Sequence, residues 1–232
     1  MDSTVIKTER LSKFYGSEKA LDNVSIEINK GEIIGIVGPN GSGKSTLINI
    51  LLGLRKPSSG NFTILGSTSP DTIQSQIGVV MDQSCFYLRV SAKANLVISA
   101  KTKGVGEERV EELLKLVGLD HTGAKRFQDF SYGMRKRLEI ADALLTDPEL
   151  IIMDEPTNGL DPQGIIFVRN LIRQFKEEGK TVIIASHYME ELEKLCTGII
   201  FLKDGAVALQ DTTENLLRDH FSIEKAFTST IY

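Results

Sequence analysis

This 232-residue sequence predicts an α/β fold: a mainly parallel core sheet, an N-terminal antiparallel β-subdomain and an inserted α-helical subdomain. Three observations predict it. Short, β-branched, almost uncharged runs at Ile33–Val37, Ile77–Val80, Leu150–Met153 and Val182–Ala185 read as strands covered on both faces. Two runs of alternating polarity, Ile6–Leu11 and Val24–Ile28, precede them and read as half-exposed strands. Between Ala92 and Leu145 the character changes to helix.

Taken in order, the first buried strand leads through a glycine-rich loop into a helical pattern, Thr46 to Leu52. In the inserted part, Val110, Leu113, Leu114 and Val117 form an apolar stripe among Glu107, Glu108, Glu111, Glu112 and Lys115, which predicts an amphipathic helix. Gly133 to Leu145 is a second helical run, stopped by Asp147-Pro148. A third, Pro162 to Glu178, has proline in its first turn and Gly179 at its end. Near the end, Ile199–Leu202 and Ala206–Leu209 flank Asp204-Gly205, a hairpin signal. No internal repeat or flexible linker stands out. One domain over residues 1–232 is expected, with the helical subdomain inserted at approximately 88–146.

An apolar content of 41% and a charged content of 25% fit a globular protein without unusual bias. A net charge of -4 disfavours a nucleic-acid surface, which is normally basic. No run approaches the roughly 20 apolar residues that span a bilayer. Any membrane action would then need another polypeptide to supply the spanning helices. The opening Met1–Val5 has neither the basic start nor the apolar stretch of a signal peptide. Cys85 and Cys196 are isolated and lack metal-ligand spacing, so both are expected to be reduced thiols in a cytosolic setting.

Gly38-Pro39-Asn40-Gly41-Ser42-Gly43-Lys44-Ser45 lies between the strand Ile33–Val37 and the helix that opens near Thr46. That order of strand, loop and helix is what nucleoside triphosphate binding requires. Glycines let the backbone curl and turn its N–H groups inward, and the helix N-terminus adds positive partial charge at the same point. Lys44 can reach the β- and γ-phosphates and the Ser45 hydroxyl can coordinate Mg²⁺. A glycine-rich turn beside a surface lysine is the bland alternative. The whole reads as a P-loop NTPase (RecA-like) core. Leu150–Met153 ends in Asp154 and Glu155, whose side chains point to opposite faces of a strand and so take different tasks. Asp154 suits the Mg²⁺ shell, and Glu155 can polarise an attacking water; a solvated strand end is the alternative.

With these residues in view, the chain resembles the nucleotide-binding subunit of an ATP-binding cassette transporter over almost its whole length. The resemblance implies that Tyr15, in Lys13-Phe14-Tyr15-Gly16, stacks on adenine, with Phe14 the rival stacker and a core tyrosine the alternative. It implies that Gln83 reaches Mg²⁺ or the lytic water. Phe130-Ser131-Tyr132-Gly133-Met134 corresponds to the family's signature loop, usually leucine, serine, two glycines and glutamine. This sequence departs at the first, third and fifth positions, but Ser131, Gly133 and the helix N-terminus keep an anion site. Asn158-Gly159-Leu160-Asp161 resembles the loop that crosses the dimer interface, with Asp161 linking the two sites. His187, after strand Val182–Ala185, falls where the family contacts the γ-phosphate.

The implied machine is an ATPase subunit at the cytoplasmic face of a membrane. It would be paired with a second cassette and a membrane-spanning subunit, with each ATP between one chain's Gly38–Ser45 loop and the other's Ser131–Gly133 loop. Ser131–Arg135, Asn158–Ile165 and the ending Ser222–Phe227 resemble bacterial exporters of peptide antibiotics and lantibiotics. Alternatives are an importer subunit, or a soluble cassette acting on ribosomes or DNA. The latter usually carries two linked cassettes or long coiled-coil insertions, and neither occurs here.

Overall fold

The computed structural model describes residues 3–81 and 86–232. It falls into two compact units, Met1–Gln74 with Ile172–Tyr232, and Ser75–Leu171.

Along the chain, the first unit opens with β1 (Thr4–Tyr15), β2 (Glu18–Val24) and β3 (Glu27–Asn29). The buried strand β4 (Ile33–Val37), the helix α1 (Lys44–Leu51) and β5 (Ser59–Ile64) follow. β1 pairs antiparallel with β2, β3 and β5, with Tyr15 opposite Glu18, Lys7 opposite Glu27 and Thr8 opposite Phe62. This is the expected antiparallel subdomain, though the run Val24–Ile28 does not form one strand. Val24 ends β2, and the Thr8 hydroxyl donates to its carbonyl while accepting from the Ile26 N–H. The side chain thus takes the backbone groups that a continuous ladder would have used.

The second unit starts with β6 (Ile77–Val80), then α2 (Ala92–Thr102), α3 (Glu107–Leu116) and α4 (Tyr132–Ala143). β7 (Leu150–Asp154) returns parallel to β6, with Ile77 opposite Leu150 and Val80 opposite Met153. Apolar Val110, Leu113 and Leu114 turn inward on α3, as the stripe predicts. Ser91 caps α2 by accepting from Ala94 N–H, and Ser131 caps α4. At the far end of α4, the Lys103 ammonium sits 2.9 Å from both the Asp142 carbonyl and its carboxylate, and the Arg109 guanidinium donates to the Leu144 carbonyl. Cations therefore meet the negative end of the helix dipole there. The expected helical insertion is present. α5 (Pro162–Glu177) carries the chain back to the first unit.

That unit is completed by β8 (Thr181–Ala185), α6 (Met189–Leu195), β9 (Gly198–Lys203), β10 (Ala206–Thr212), α7 (Thr213–His220) and α8 (Ile223–Ile231). β4 lies between β8 and β9, parallel to both, and β10 adds an antiparallel edge through the expected hairpin. Asp204 and Gly205 both take positive φ there, 49° and 79°. Ile33, Ile36, Val182, Ile183, Ile200 and Phe201 are wholly buried. Each stabilises the unit by about 1.5–3 kcal/mol relative to exposure. Buried Cys196 belongs to this core, and burial holds its thiol well above its ordinary range, hence protonated. Cys85 lies outside the described residues. Among the described residues no helix is long and apolar enough to cross a membrane.

Candidate nucleotide site

The glycine-rich loop leaves the carboxyl end of β4 and enters α1. Its close packing explains two of its glycines. A methyl carbon at Gly38 would stand 2.3 Å from Ser42 Oγ and 2.4 Å from the Leu202 carbonyl oxygen. At Gly43, with φ of 103°, it would meet the Ala20 carbonyl oxygen at 2.6 Å. Side chains there are excluded both by space and, at Gly43, by backbone geometry. Pro39 accepts a turn bond from Ser42 N–H, and Ser42 in turn accepts from Gly205 N–H at the β9–β10 hairpin. Asn40 and Gly41 are exposed at the tip of the turn.

α1 starts at Lys44 with no side chain capping its first N–H groups and no acidic residue in its first turn. Those donors, with Ser45 exposed and Thr46 half-buried beside them, suit a polyanion. The Lys44 ammonium folds back over the loop, donating to the Gly38 carbonyl at 2.7 Å and the Pro39 carbonyl at 3.1 Å. It is held above the loop where phosphate oxygens could replace those carbonyls. The Ser42 hydroxyl oxygen is buried without a hydrogen-bond partner inside the same cradle.

β8 is parallel and adjacent to β4, with Ile36 opposite Ala185, so both strands end on the same side. His187 leaves β8 just past that end and is exposed. Its ring lies 4.1 Å from the ring of Tyr188, whose N–H donates to Ser186 Oγ. The structure therefore brings His187 and the loop to one sheet edge, where ligands of parallel α/β sheets bind. Tyr15 ends β1 with 44% exposure, and Lys13 Nζ lies 5.2 Å from its ring centroid. It is not a core tyrosine. Phe14 is equally exposed, so exposure does not separate the two stackers.

In the second unit, Asp154 closes β7 and Glu155 follows with φ of 47°, rare for a residue with a side chain. Both are half-buried. The loop beyond is laced by Asn158 N–H to Glu155 carbonyl and Leu160 N–H to Thr157 carbonyl. Asp161 Oδ1 accepts from Gly164 N–H at 2.7 Å and so caps α5. Ser131 is exposed; its oxygen accepts from Met134 N–H at 3.3 Å. That capping role uses a lone pair and leaves the hydroxyl hydrogen to donate elsewhere. Gly133 sits in the first turn of α4 with its backbone half-exposed. Gln83 lies outside the described residues.

Three features were not legible from residue types alone. α4 carries Lys136 and Glu139, an ion pair at 3.0 Å whose side chains are almost wholly buried. In sequence the pair reads as an ordinary solvated i,i+3 match. Asn95, also buried, holds both backbone groups of Tyr87. Arg137 lies over the ring of Phe167, 4.0 Å from its centroid.

The ABC transporter family profile matches residues 21–158, more than half of the chain. The bacitracin transport ATP-binding protein BcrA of Bacillus licheniformis is 44% identical over 208 residues, covering 88% of this chain and 68% of that protein. The lantibiotic transport ATP-binding protein SrtF of Streptococcus pyogenes is 39% identical over 215 residues, covering 91% and 94%. Among solved structures, a bacterial ABC transporter cassette in dimeric form superposes with a TM-score of 0.82 at 31% identity, covering 90% of this chain and 98% of that one.

Proposed function

This chain belongs to the ABC transporter family, and from that premise we propose that it drives the export of peptide antibiotics or similar toxic amphiphiles. It binds ATP, and its hydrolysis powers a transporter. The observation that carries the export reading is the similarity along most of the chain to bacitracin and lantibiotic transport subunits.

In the proposed cycle, Lys44 and backbone N–H groups of the loop Gly38–Thr46 bind the phosphates, with Pro39 shaping its turn, and Tyr15 stacks on the base. Ser45, Asp154 and Gln83 would hold Mg²⁺. Hydroxyl, carboxylate and amide oxygens are hard donors of the kind that ion prefers, and Ser45 stands exposed in the first turn of α1. Mg²⁺, when bound, neutralises charge building on the β- and γ-phosphate oxygens. Glu155 accepts the proton of the attacking water, and His187 contacts the γ-phosphate from the end of β8. Ser131 and Gly133 serve the ATP of a second cassette, to which their chain contributes half a site. Asp161 stands at that interface. ATP binding is thereby coupled to association, and hydrolysis to separation. A membrane-spanning subunit at the cytoplasmic face carries the motion to the cargo.

Co-expression with a membrane-spanning transporter subunit that co-purifies with this chain, then reconstitution into vesicles, tests the reading. ATP turnover by the complex should rise several-fold with bacitracin-like or lantibiotic peptides, consistent with coupling of about 1–3 kcal/mol. Stimulation by a nutrient bound from outside, with none by these peptides, would instead identify an importer.

A further inference from the structure

Tyr132 occupies the position where the signature pattern of the resembled family has a glycine. Its ring is laid against Gly159 in the same unit. A methyl carbon built on Gly159 would stand 3.1 Å from Tyr132 Cε1 and 3.5 Å from both Cδ1 and Cζ. Contact with three ring atoms at once means that the backbone approaches closely, and a methyl group at residue 159 would have to push the ring back by a few tenths of an ångström. One turn further along α4, Lys136 Nζ lies 5.8 Å from the Tyr132 ring centroid, itself buried and paired with Glu139. Next to Tyr132, Gly133 borders Leu160 Cδ2, 3.8 Å from where its methyl carbon would stand.

We propose that Tyr132 is a positioning residue that locks residues 158–161 against Ser131 and Gly133, so that both loops meet the second cassette as one preformed surface. The inference rests on the reading that Ser131 and Gly133 serve the ATP of the partner. The bulk added at residue 132 is then matched by the missing side chain at residue 159. Asp161 follows two residues later and is fixed in turn by its cap on α5. Without the ring, the second loop would lose its stop against the first. Ordering it would then cost free energy at association.

The test uses the full chain carrying Glu155→Gln, so that ATP outlasts the measurement, and reads the ATP concentration at half-maximal dimerisation by sedimentation. Tyr132→Ala should raise that midpoint about 10-fold, and Tyr132→Phe should leave it within about 2-fold. Gly159→Ala should raise it about 10-fold in the Tyr132 protein but only about 3-fold alongside Tyr132→Ala, where no ring is struck. The cost of placing alanine at φ of 71° is common to both backgrounds and cancels. ATP affinity of the dilute single chain should stay within about 2-fold throughout, because a positioning role acts at association. Equal factors for Gly159→Ala in the two backgrounds overturn the inference. So does a Tyr132→Ala protein that dimerises normally. If Tyr132→Ala fails to fold, Tyr132→Leu keeps apolar bulk without the flat ring and carries the same comparison. Ser131→Arg is the control. Loss of dimerisation upholds the partner-site reading independently, whereas normal dimerisation removes that reading and this inference with it.

Discussion

The phosphate loop of the first unit and the paired loops of the second both meet phosphate in the proposed cycle, but they are built from different material. The first is backbone: N–H groups at a helix start, and glycines whose absent side chains leave room for the Ala20 and Leu202 carbonyls. Few substitutions survive such geometry, so the letters Gly38 to Ser45 follow the familiar pattern. The second offers Ser131 and Gly133 as donors in that cycle, and side chains pack around them. There Tyr132 replaces a glycine, and Gly159 makes the space. Packing can be re-solved with other residues while the donors stay in place.

Glu155→Gln should separate chemistry from both loops and give the largest effect. Amide and carboxylate are nearly isosteric, so ATP should still bind, but turnover should fall by roughly 10²–10⁴-fold with the base lost. The protein should accumulate as an ATP-bound dimer in size-exclusion chromatography. Rapid hydrolysis would move the base elsewhere, with His187 the first suspect.

What the sequence made legible follows the same division. The strands β4, β6, β7 and β8 were readable because burial on both faces demands uninterrupted apolar, β-branched runs. The turn from β4 into α1 and the strand end at Asp154 were readable because glycine geometry and strand boundaries constrain residue type. β2 and β5 were not: Glu18–Val24 and Ser59–Ile64 are polar on their exposed face and carry Gly60, which reads as a turn. α6, α7 and α8 span only two or three turns each, shorter than the roughly 11–18 residues over which helical periodicity is read. The contact of Tyr132 with Gly159 joins residues distant in sequence, and burial of Lys136 with Glu139 depends on what covers them. Neither leaves a local signal.

Lys44→Ala probes the backbone-built loop. The ammonium is a single charge-assisted partner of the phosphates, worth roughly 1.5–3 kcal/mol, so ATP affinity should drop about 10- to 150-fold. The glycine nest and helix N-terminus remain, so the fold and its melting temperature should stay close to those of the parent. Calorimetric titration of the single chain measures the first, and thermal unfolding the second. Near-normal ATP binding and turnover would sink the phosphate-loop assignment.

The smallest effect on the isolated chain is expected at Tyr87, at the edge of the helical insertion. From the residues alone, Phe86, Tyr87 and Leu88 could pack inside the helical lobe; the resemblance to transporter cassettes implies instead that some line a groove for a short helix of the membrane subunit. The structure divides them. Phe86 turns inward, its ring 5.1 Å from that of Phe127, while Tyr87 and Leu88 are 60% and 57% exposed. The exposed side chains nevertheless sit on a fixed backbone. Buried Asn95 accepts from Tyr87 N–H at 2.7 Å and donates to its carbonyl at 3.1 Å, and Gln128 N–H donates to the Leu88 carbonyl. A rigid, outward-facing tyrosine suits a docking contact, since little conformational freedom remains to be lost on binding. Tyr87→Ala should thus leave stability within about 0.5 kcal/mol, as for other exposed substitutions. ATP turnover by the isolated chain should be unchanged within error. Affinity for the membrane subunit should fall about 10-fold or more, the loss expected when an interface tyrosine is truncated, and peptide-stimulated transport should fall with it. A stability loss on the order of 3 kcal/mol would place Tyr87 among core aromatics instead. Asn95→Ala sharpens the contrast. It removes the two bonds that hold Tyr87 in place, so it should weaken docking as well but lower the melting temperature at the same time.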